Sequence, residues 1–577
     1  MSPHLTVIFI VDASCVAEHV RRLVAWVQEQ APMQCKVVVL PCAASTNYPG
    51  RPALADENNQ PSPWARICRS VLWSALLFVE RLRMRKTQFK GQSDRLLDRH
   101  AIDFPGGVTV FDPLIDEPPE KYIQRVRIAL LSHSPDVIVQ CGTFEHAHEF
   151  AECAPHGLLE IVYGNNPKFR GGPPGFWEVF YRADKTGFLI QRWSKQRSAE
   201  LDSTATDTRT DTRASAAPSR SNVLIEGFLP TQGFFSLNQA TLVLQASRHL
   251  QHILLKLANG SPLPPPKPKR PFDGVLRPCP NSLDLATYMA SVALRVIRSR
   301  LHTAVGAQEQ WGVHYARTDW KNLVLQRSKR IPNPSGGYYA DPFLHHTEEG
   351  RYCFVEEFRH SKNKGEIAVL RMDGPEPLRI GTVLEEPFHL SFPFLFEFEN
   401  VLYMCPESHG SGQIRIYRCH NFPLQWRLHS VAMEAVAAVD TMIFPAHGVW
   451  WLMSSIHPVG DTETYPELHI FSAPDPLSGS WTPHEQNPVV VDPEFARNAG
   501  LLRDGGKLYR VSQARSFSTY GAWATVSEVK TLSMTTYEEN LVSQLKPGFD
   551  SRASGLHHLQ SCKDFTVWDQ KHWERAR

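Results

Sequence analysis

Apolar and polar positions follow two different rhythms along the chain, and the change falls near residue 311. Residues 5–11 form a continuous β-branched and apolar run, residues 16–28 space their apolar side chains as a helix does, and residues 35–40 form a second apolar run. Strand, helix, strand in that order predicts the start of a parallel sheet with crossover helices. Residues 42–62, rich in Pro, Ala, Asn and Ser, predict a loop. Residues 108–111 and 136–140 predict later strands, the second after a helix over 120–131. The Ser, Thr, Asp, Ala and Arg tract at 198–221 has almost nothing to bury and predicts a disordered insertion. Helical spacing returns over 236–257 and completes an α/β domain over 1–257.

Residues 258–274 contain NGSPLPPPKPKRP, whose prolines lack amide donors and favour a stiff, extended path; they predict a domain linker. Residues 275–310 predict a connecting region with one helix over 281–300. Beyond 311, short strands (YCFVEEF, EIAVLRM, NVLYMCPE, QIRIYRC, GVWWLMSS, ELHIFSA, KLYRVSQ, WATVSEV) alternate with Gly, Asn, Asp and Pro turns. Grouped at intervals of roughly fifty residues they make about five small sheets, the pattern of a five-bladed β-propeller over 311–577. A two-sheet sandwich is the competing fold. The expected architecture is thus multidomain, an α/β parallel-sheet domain followed by a propeller.

Composition narrows the function. The 577 residues carry 61 basic and 59 acidic side chains, a formal net charge of +2, which argues against a nucleic-acid partner. Eleven scattered cysteines without CxxC spacing suit buried thiols in a reducing compartment, and the first residues read as a core strand, not as a signal peptide; both lead to a cytoplasmic expectation. Residues 64–90 add a second reading. A mostly apolar stretch over 71–79 precedes Arg81, Arg83, Arg85, Lys86 and Lys90, either as an amphipathic helix packed on the sheet or as a peripheral contact with the inner face of a membrane. No metal set is expected, since HAHE at 146–149 and the pair His345–His346 are short and isolated.

The stretch GLLEIVYGNNPKFRGGPPGFWE at 157–178 resembles the central strand and loop of the tetrahydrofolate-dependent formyltransferases, with Pro167, Phe169, Arg170, Gly171 and Pro174 matching. The resemblance implies a formyltransferase-like fold for residues 1–257. It also implies Asn and His on the strand and an Asp on a later loop, to stabilise an oxyanion and accept a proton. Glu160 and Val162 stand at the strand positions, and Pro230, Thr231 and Gln232 at the loop. Valine exchanges no proton and proline offers neither carboxylate nor amide donor, so neither formyl transfer by the usual route nor a tetrahydrofolate cofactor is expected. Asn165, Asn166 and Arg170 remain candidates for binding a carboxylate or phosphate, or for a rigid turn with an internally paired Arg. Glu145, Glu160 and Glu178 lie near the strand ends where α/β ligands bind.

GGYYADPF, ending at Phe343, resembles the Ala-Asp-Pro motif of five-bladed propellers that act on sugars. Residues 311–571 are more similar to the N-terminal domain of glucosamine inositolphosphorylceramide transferases, judged on GGYYADPFLHHTEEGRYCFVEE, FPFLFEFENVLYMCPES and ARNAGLLRDGGKLYRVSQ. These resemblances imply that Asp341, Pro393, Asp440 and the Arg497–Asn498 pair surround one funnel. They also imply that Asp341 and Asp440 correspond to the base and supporting acid of hydrolytic relatives. The position that would carry the protonating Glu reads Ala496-Arg497-Asn498, which disfavours simple hydrolysis and leaves Glu407 or Glu357 as substitutes by type. The candidate catalytic set is Asp341, Asp440 and Glu407. Arg497, Asn498, Gln513, Arg515, His557 and His558 are candidate contacts to sugar hydroxyls or a phosphate, and Tyr339, Trp450, Trp451 and Tyr520 candidates for stacking on a sugar ring, against the alternative that they pack between blades.

Three functions follow. The first is group or glycosyl transfer in glycan or glycolipid biosynthesis, with a sugar or glycolipid substrate and a nucleotide sugar as the candidate donor. The second is non-catalytic carbohydrate recognition or scaffolding. The third is a sugar N-formyltransferase with a displaced site.

Overall fold

A computed structural model of the chain describes residues 5–12, 16–30, 32–40, 63–84, 99–100, 104, 108–110, 118–142, 147–194, 220–267, 271–304, 307–458, 465–517, 519–548 and 553–575. The expected loop 42–62, Glu145, residues 85–90 with Arg85, Lys86 and Lys90, and residues 198–219 of the expected insertion lie outside the described residues; of the expected segment 64–90, residues 64–84 are described. The chain divides into two units, residues 1–227 with 231–290, and residues 228–230 with 291–577.

The apolar runs of the first unit form a seven-stranded sheet: β1 (Leu5–Asp12), β2 (Met33–Leu40), β3 (Val108–Val110), β4 (Val137–Gln140), β5 (Leu158–Tyr163), β6 (Lys185–Ser194) and β7 (Arg220–Pro230). Their order is β7-β6-β5-β4-β1-β2-β3. β1 pairs in parallel with β2 and β4, and β4 with β5, because α1 (Glu18–Glu29), α3 (Pro119–Ser132) and a 3-10 helix over Ala147–Cys153 carry the chain back across the sheet. Side chains alternate across the strands, so Ile8, Ile10, Val38, Leu40 and Ile138 share a core with Val126 and Leu130 of α3. The expected parallel sheet is corrected at β5, which pairs antiparallel with β6. The intervening segment contains one α-helix, α4 (Phe176–Phe180), only five residues long, and returns at the same sheet end instead of crossing over.

The remaining helices are α2 (Pro63–Met84) and α5 (Phe235–Ala258) of this unit and α6 (Ser282–Ala304), which begins in it. Arg220 and Ser221, expected in the disordered insertion, open β7. The Pro-rich segment expected as a linker runs along the first unit: the Lys267 N–H donates to the Val223 carbonyl (2.7 Å), and residues 275–276 pair with residues 169–170. The division between units falls within α6.

The second unit is a five-bladed β-propeller, not a two-sheet sandwich. Blades one to four are antiparallel four-stranded sheets that begin at Gly337–Thr347, Ser391–Phe398, Ala438–Ala446 and Asn498–Asp504. Blade five combines both ends of the unit, with Ala307–Ala316 paired along its whole length to Phe565–Arg575. Its strand therefore starts at Ala307, inside the region expected as a connecting helix. First strands of successive blades touch in a closed cycle, Leu559–Cys562 of blade five meeting both Asn498–Asp504 and Gly337–Thr347. Closing the ring leaves only short strand edges, protected by the neighbouring blades.

The first strands of blades one to four are each interrupted near their start by a bulge: Ala340/Phe343, Ser391/Phe394, Val439/Met442 and Asn498/Gly500. Asp341 (φ 47°), Phe392 (φ 47°) and Asp440 (φ 50°) occupy the left-handed region there. A bulge re-aims the side chain beside it, and a non-glycine residue persists at positive φ only where neighbours hold it. The blade-two counterpart of Asp341 is thus Phe392, one residue before Pro393.

Candidate active site

The bulges bring together residues more than two hundred positions apart. The Asp341 N–H donates to Asp569 Oδ2 (3.0 Å), and Asp341 Oδ2 accepts the Phe392 N–H (3.2 Å), so the two carboxylates tie blade five to one and one to two. Asp569 Oδ1 also accepts the N–H groups of His557 (3.1 Å) and His558 (3.0 Å). His557 Nδ1 lies 2.7 Å from Asp569 Oδ2, and its Nε2 is 3.8 Å from Asp341 Oδ1. Trp311 stacks on the His557 ring at 3.8 Å between centroids. His557 is therefore oriented on one side by a carboxylate and on one face by an indole, with its second nitrogen turned to Asp341.

Opposite them, Asp440 Oδ2 forms a close ion pair with Arg497 Nε and accepts from Gln513 Nε2 (3.1 Å). A second guanidinium nitrogen of Arg497 is 3.6 Å from Glu407 Oε2, and the guanidinium lies 5.0 Å from the Tyr520 ring centroid. Asn498 donates to the Asp440 and Met453 carbonyls (2.9 and 3.1 Å) and so fixes the bulge of blade three.

Charge is crowded here. Burial, then the charges of Asp569 and Asp440 working against the pull of His557, raise the Asp341 carboxyl to about 7. Burial raises Glu407 well above the usual carboxylate range, with Asp440 adding to it. Glu356 is raised in the same way by burial, then by Asp341 and Glu407. Burial opposes charge on His557, but Asp569 and Asp341 outweigh it and raise the imidazole. Burial lowers His558 to about 4, which keeps that ring neutral.

Of the residues expected from the sequence, Asp341, Glu407, Asp440, Arg497, Asn498, Gln513 and His557 converge on this cluster. His558 is fully buried, edge-on to Phe343 and Phe392 at 4.5 and 5.5 Å, and faces packing more than a ligand. Arg515 lies over the Tyr465 ring at 4.7 Å. Tyr339 and Trp451 are core residues, and Trp450 packs on Phe396 and Phe398, which leaves Tyr520 beside Arg497. Glu357 is fully buried in ion pairs with Arg359 (2.7 Å) and Arg379 (2.8 Å), while its strand neighbour Glu356 points to the opposite face, toward Asp341.

Sequence reasoning missed Glu356, Asp569 and the Trp311 stack. It also read no metal set. Among the described residues, Asp341, His557 and Asp569 bring ligand-type atoms within 4.8 Å of one another, a grouping invisible to local spacing. Their oxygens already accept the backbone and imidazole contacts described above.

The first unit places its candidates in internal bonds. Asn165 donates to Glu226 (3.0 Å) and accepts from Arg170 (2.5 Å), and the Arg170 guanidinium covers the Phe272 ring at 4.4 Å. Asn166 holds a turn, donating to the Lys185 carbonyl and accepting the Lys168 N–H. Glu160 accepts from Gln191 and Trp193. Glu178 is buried and its carboxyl is raised to about 7 by that burial. Thr231 and Gln232 join a buried network around Asn238 and Thr186.

Residues 323–554 match the family model described as glucosamine inositolphosphorylceramide transferase 1, N-terminal. The Arabidopsis thaliana protein named glucosamine inositolphosphorylceramide transferase 1 is 37% identical over 210 residues, which is 35% of this chain and 27% of that relative. Its namesake from Oryza sativa subsp. japonica is 35% identical over 240 residues, 39% of this chain and 32% of the relative. Among solved structures, a family 117 glycoside hydrolase of Zobellia galactanivorans aligns at 12% identity with a TM-score of 0.30, over 46% of this chain and 91% of its own. An α-L-arabinofuranosidase from Lactobacillus brevis aligns at 14% identity with a TM-score of 0.31, over 43% and 86%. The chain spans about a third or less of the length of these two curated relatives, and its propeller is similar to their matched region.

Proposed function

We propose that the propeller cluster is a carbohydrate site for group or glycosyl transfer in glycan or glycolipid assembly. The observation that carries this reading is a set of buried carboxyls, Asp341, Glu407 and Glu356, held toward the protonated form beside the Asp440–Arg497 ion pair. Transfer to a hydroxyl requires one group to take the acceptor's proton and another to protonate the leaving oxygen. Asp341, titrating near neutrality and backed by His557 and Asp569, suits the first role. Glu407, kept neutral by its surroundings, suits the second. Asp440 and Gln513 orient Arg497, whose guanidinium and the adjacent Tyr520 ring suit hydroxyl contacts and stacking on a sugar.

The names of the curated relatives join glucosamine to inositolphosphorylceramide, which supports testing amino-sugar nucleotides and inositol phosphates first. The test is a thermal-shift and turnover panel on the full chain with nucleotide sugars, free and phosphorylated sugars, inositol phosphates and folates. A shift with a nucleotide sugar or sugar phosphate, weakened by Asp341→Asn, and turnover lost in Glu407→Gln are expected. A response to folates alone would overturn this reading and favour a displaced formyl-transfer site. Recognition without turnover is the second reading, favoured by the engagement of Arg497 with both Asp440 and Glu407; sugar binding with no turnover, unchanged in Glu407→Gln, would establish it.

A further inference from the structure

α2 has apolar side chains on two of its faces. Toward the domain, Trp73 packs on Phe176 and Phe235 at 6.0 and 5.4 Å between ring centroids, and Leu76 and Met84 are buried. Glu80 completes that face: its oxygens accept from Tyr288 Oη (2.5 Å), Ser236 Oγ (2.6 Å) and the Ser236 N–H (2.8 Å). Away from the domain, Ile67, Val71, Phe78, Val79 and Leu82 are 46–64% exposed. With 3.6 residues per turn, positions 67, 71, 78 and 82 fall on one stripe, separated only by Ser74 and Ala75. An ordinary packed helix turns polar side chains to water on its outer face.

The charges of α2 are equally one-sided. Arg66, Arg69, Arg81 and Arg83 are its cations, and Glu80, its only acid, is buried and occupied. With the same spacing Arg81 and Arg83 flank the apolar stripe, the Arg83 guanidinium lying 5.5 Å from the Phe234 ring centroid, whereas Arg66 and Arg69 fall on the side of Leu76 and Glu80; among the residues of α2 the outward face carries positive charge only. No helix among the described residues is long and apolar enough to cross a membrane, so insertion across a bilayer does not account for the stripe. A second copy of the chain would bring the same arginines against each other.

We propose that α2 docks on an anionic lipid surface, with Ile67, Val71, Phe78, Val79 and Leu82 at the level of the headgroups and acyl chains and Arg81 and Arg83 against lipid phosphates and carboxylates. A helix with a buried inner face and an apolar, cation-bordered outer face lies in the plane of the interface, and its binding grows with apolar area and with anionic lipid content. The domain itself holds α2 in shape through Trp73, Leu76 and Glu80, so no folding upon binding is needed.

Flotation of the full chain with vesicles tests this, using phosphatidylcholine alone and phosphatidylcholine mixed with phosphatidylserine. Binding to the mixed vesicles, weakened by added salt, is expected. Val71→Glu with Phe78→Glu should lower it on the order of tenfold or more, and Arg81→Gln with Arg83→Gln by about fivefold per arginine. Melting by circular dichroism checks that each variant is folded; should the glutamate pair fail to fold, the arginine pair and the salt dependence decide. No binding to mixed vesicles, or equal binding by folded variants, overturns the proposal. So does a dimer, seen by light scattering, that Phe78→Glu dissolves, which would make a second copy the occupant.

Discussion

Asp341 divides its carboxylate between two tasks. One oxygen accepts the Phe392 N–H, while the other faces His557 and His558 at 3.8 and 4.0 Å. Burial and neighbouring acids raise this carboxyl from 3.8 to about 7, so the folded chain holds the proton more tightly than the unfolded chain. Stability linked to this group is therefore fully present below about pH 4 and is lost as pH rises to about 7. Asp341→Asn should flatten that loss: the variant gains stability over the parent at about pH 8 and gains none at about pH 4, as denaturant midpoints at the two values will show. Asparagine also tolerates positive φ, so the bulge survives. Equal midpoint differences at both pH values would remove Asp341 from the titration. At this scale the ADP motif was legible in the sequence, whereas the division of labour between Glu356 and Glu357 was not, because adjacent strand residues part to opposite faces and only the neighbouring strands decide which face is which.

Strands of blade four show how polar groups are buried inside an element. Arg510, fully buried on Lys507–Ser516, forms two bonds to Glu539 (2.9 and 2.6 Å) and one to Tyr537 Oη (3.2 Å) on the outer strand Tyr537–Leu545. Removing the cation strands a carboxylate in a low-dielectric setting. Arg510→Met should cost about 3 kcal/mol in urea unfolding, and Arg510→Met with Glu539→Leu should recover most of it. A single variant as stable as the parent would mean that Glu539 rotates into water. The bulges belong to this scale as well. The aromatic and β-branched runs predicted strands, but the bulges at Asp341, Phe392 and Asp440 are held by hydrogen bonds with neighbouring blades, which no local pattern records.

The whole propeller is closed by a seam in which Ala307–Ala316 and Phe565–Arg575 share blade five, and Asp569 sits at its inner end. Asp569 accepts three backbone N–H groups, those of Asp341, His557 and His558, and a truncated side chain would leave all three buried without a partner. Asp569→Ala should therefore lower unfolding stability by at least about 3 kcal/mol and weaken sugar binding, and Asp569→Asn, which retains an acceptor, by less. Unchanged stability in the alanine variant would locate the closure elsewhere. By itself the sequence determined the two rhythms, the parallel sheet with its crossover helices and the repeat of short strands, because hydrophobic periodicity and turn residues act over a few neighbouring positions. It also marked Asp341 and Arg497 through motifs short enough to read locally, and Asp440 through the equivalent strand start that the propeller resemblance implies. Only the tertiary structure decided that Asp569, His557 and Trp311 meet Asp341 at the closing seam, that Asn165 and Arg170 pair internally, and that α2 keeps an uncovered apolar face. Those outcomes rest on which distant segments become neighbours and on the burial that shifts their charges, and both arise only when the ring closes and the helices pack.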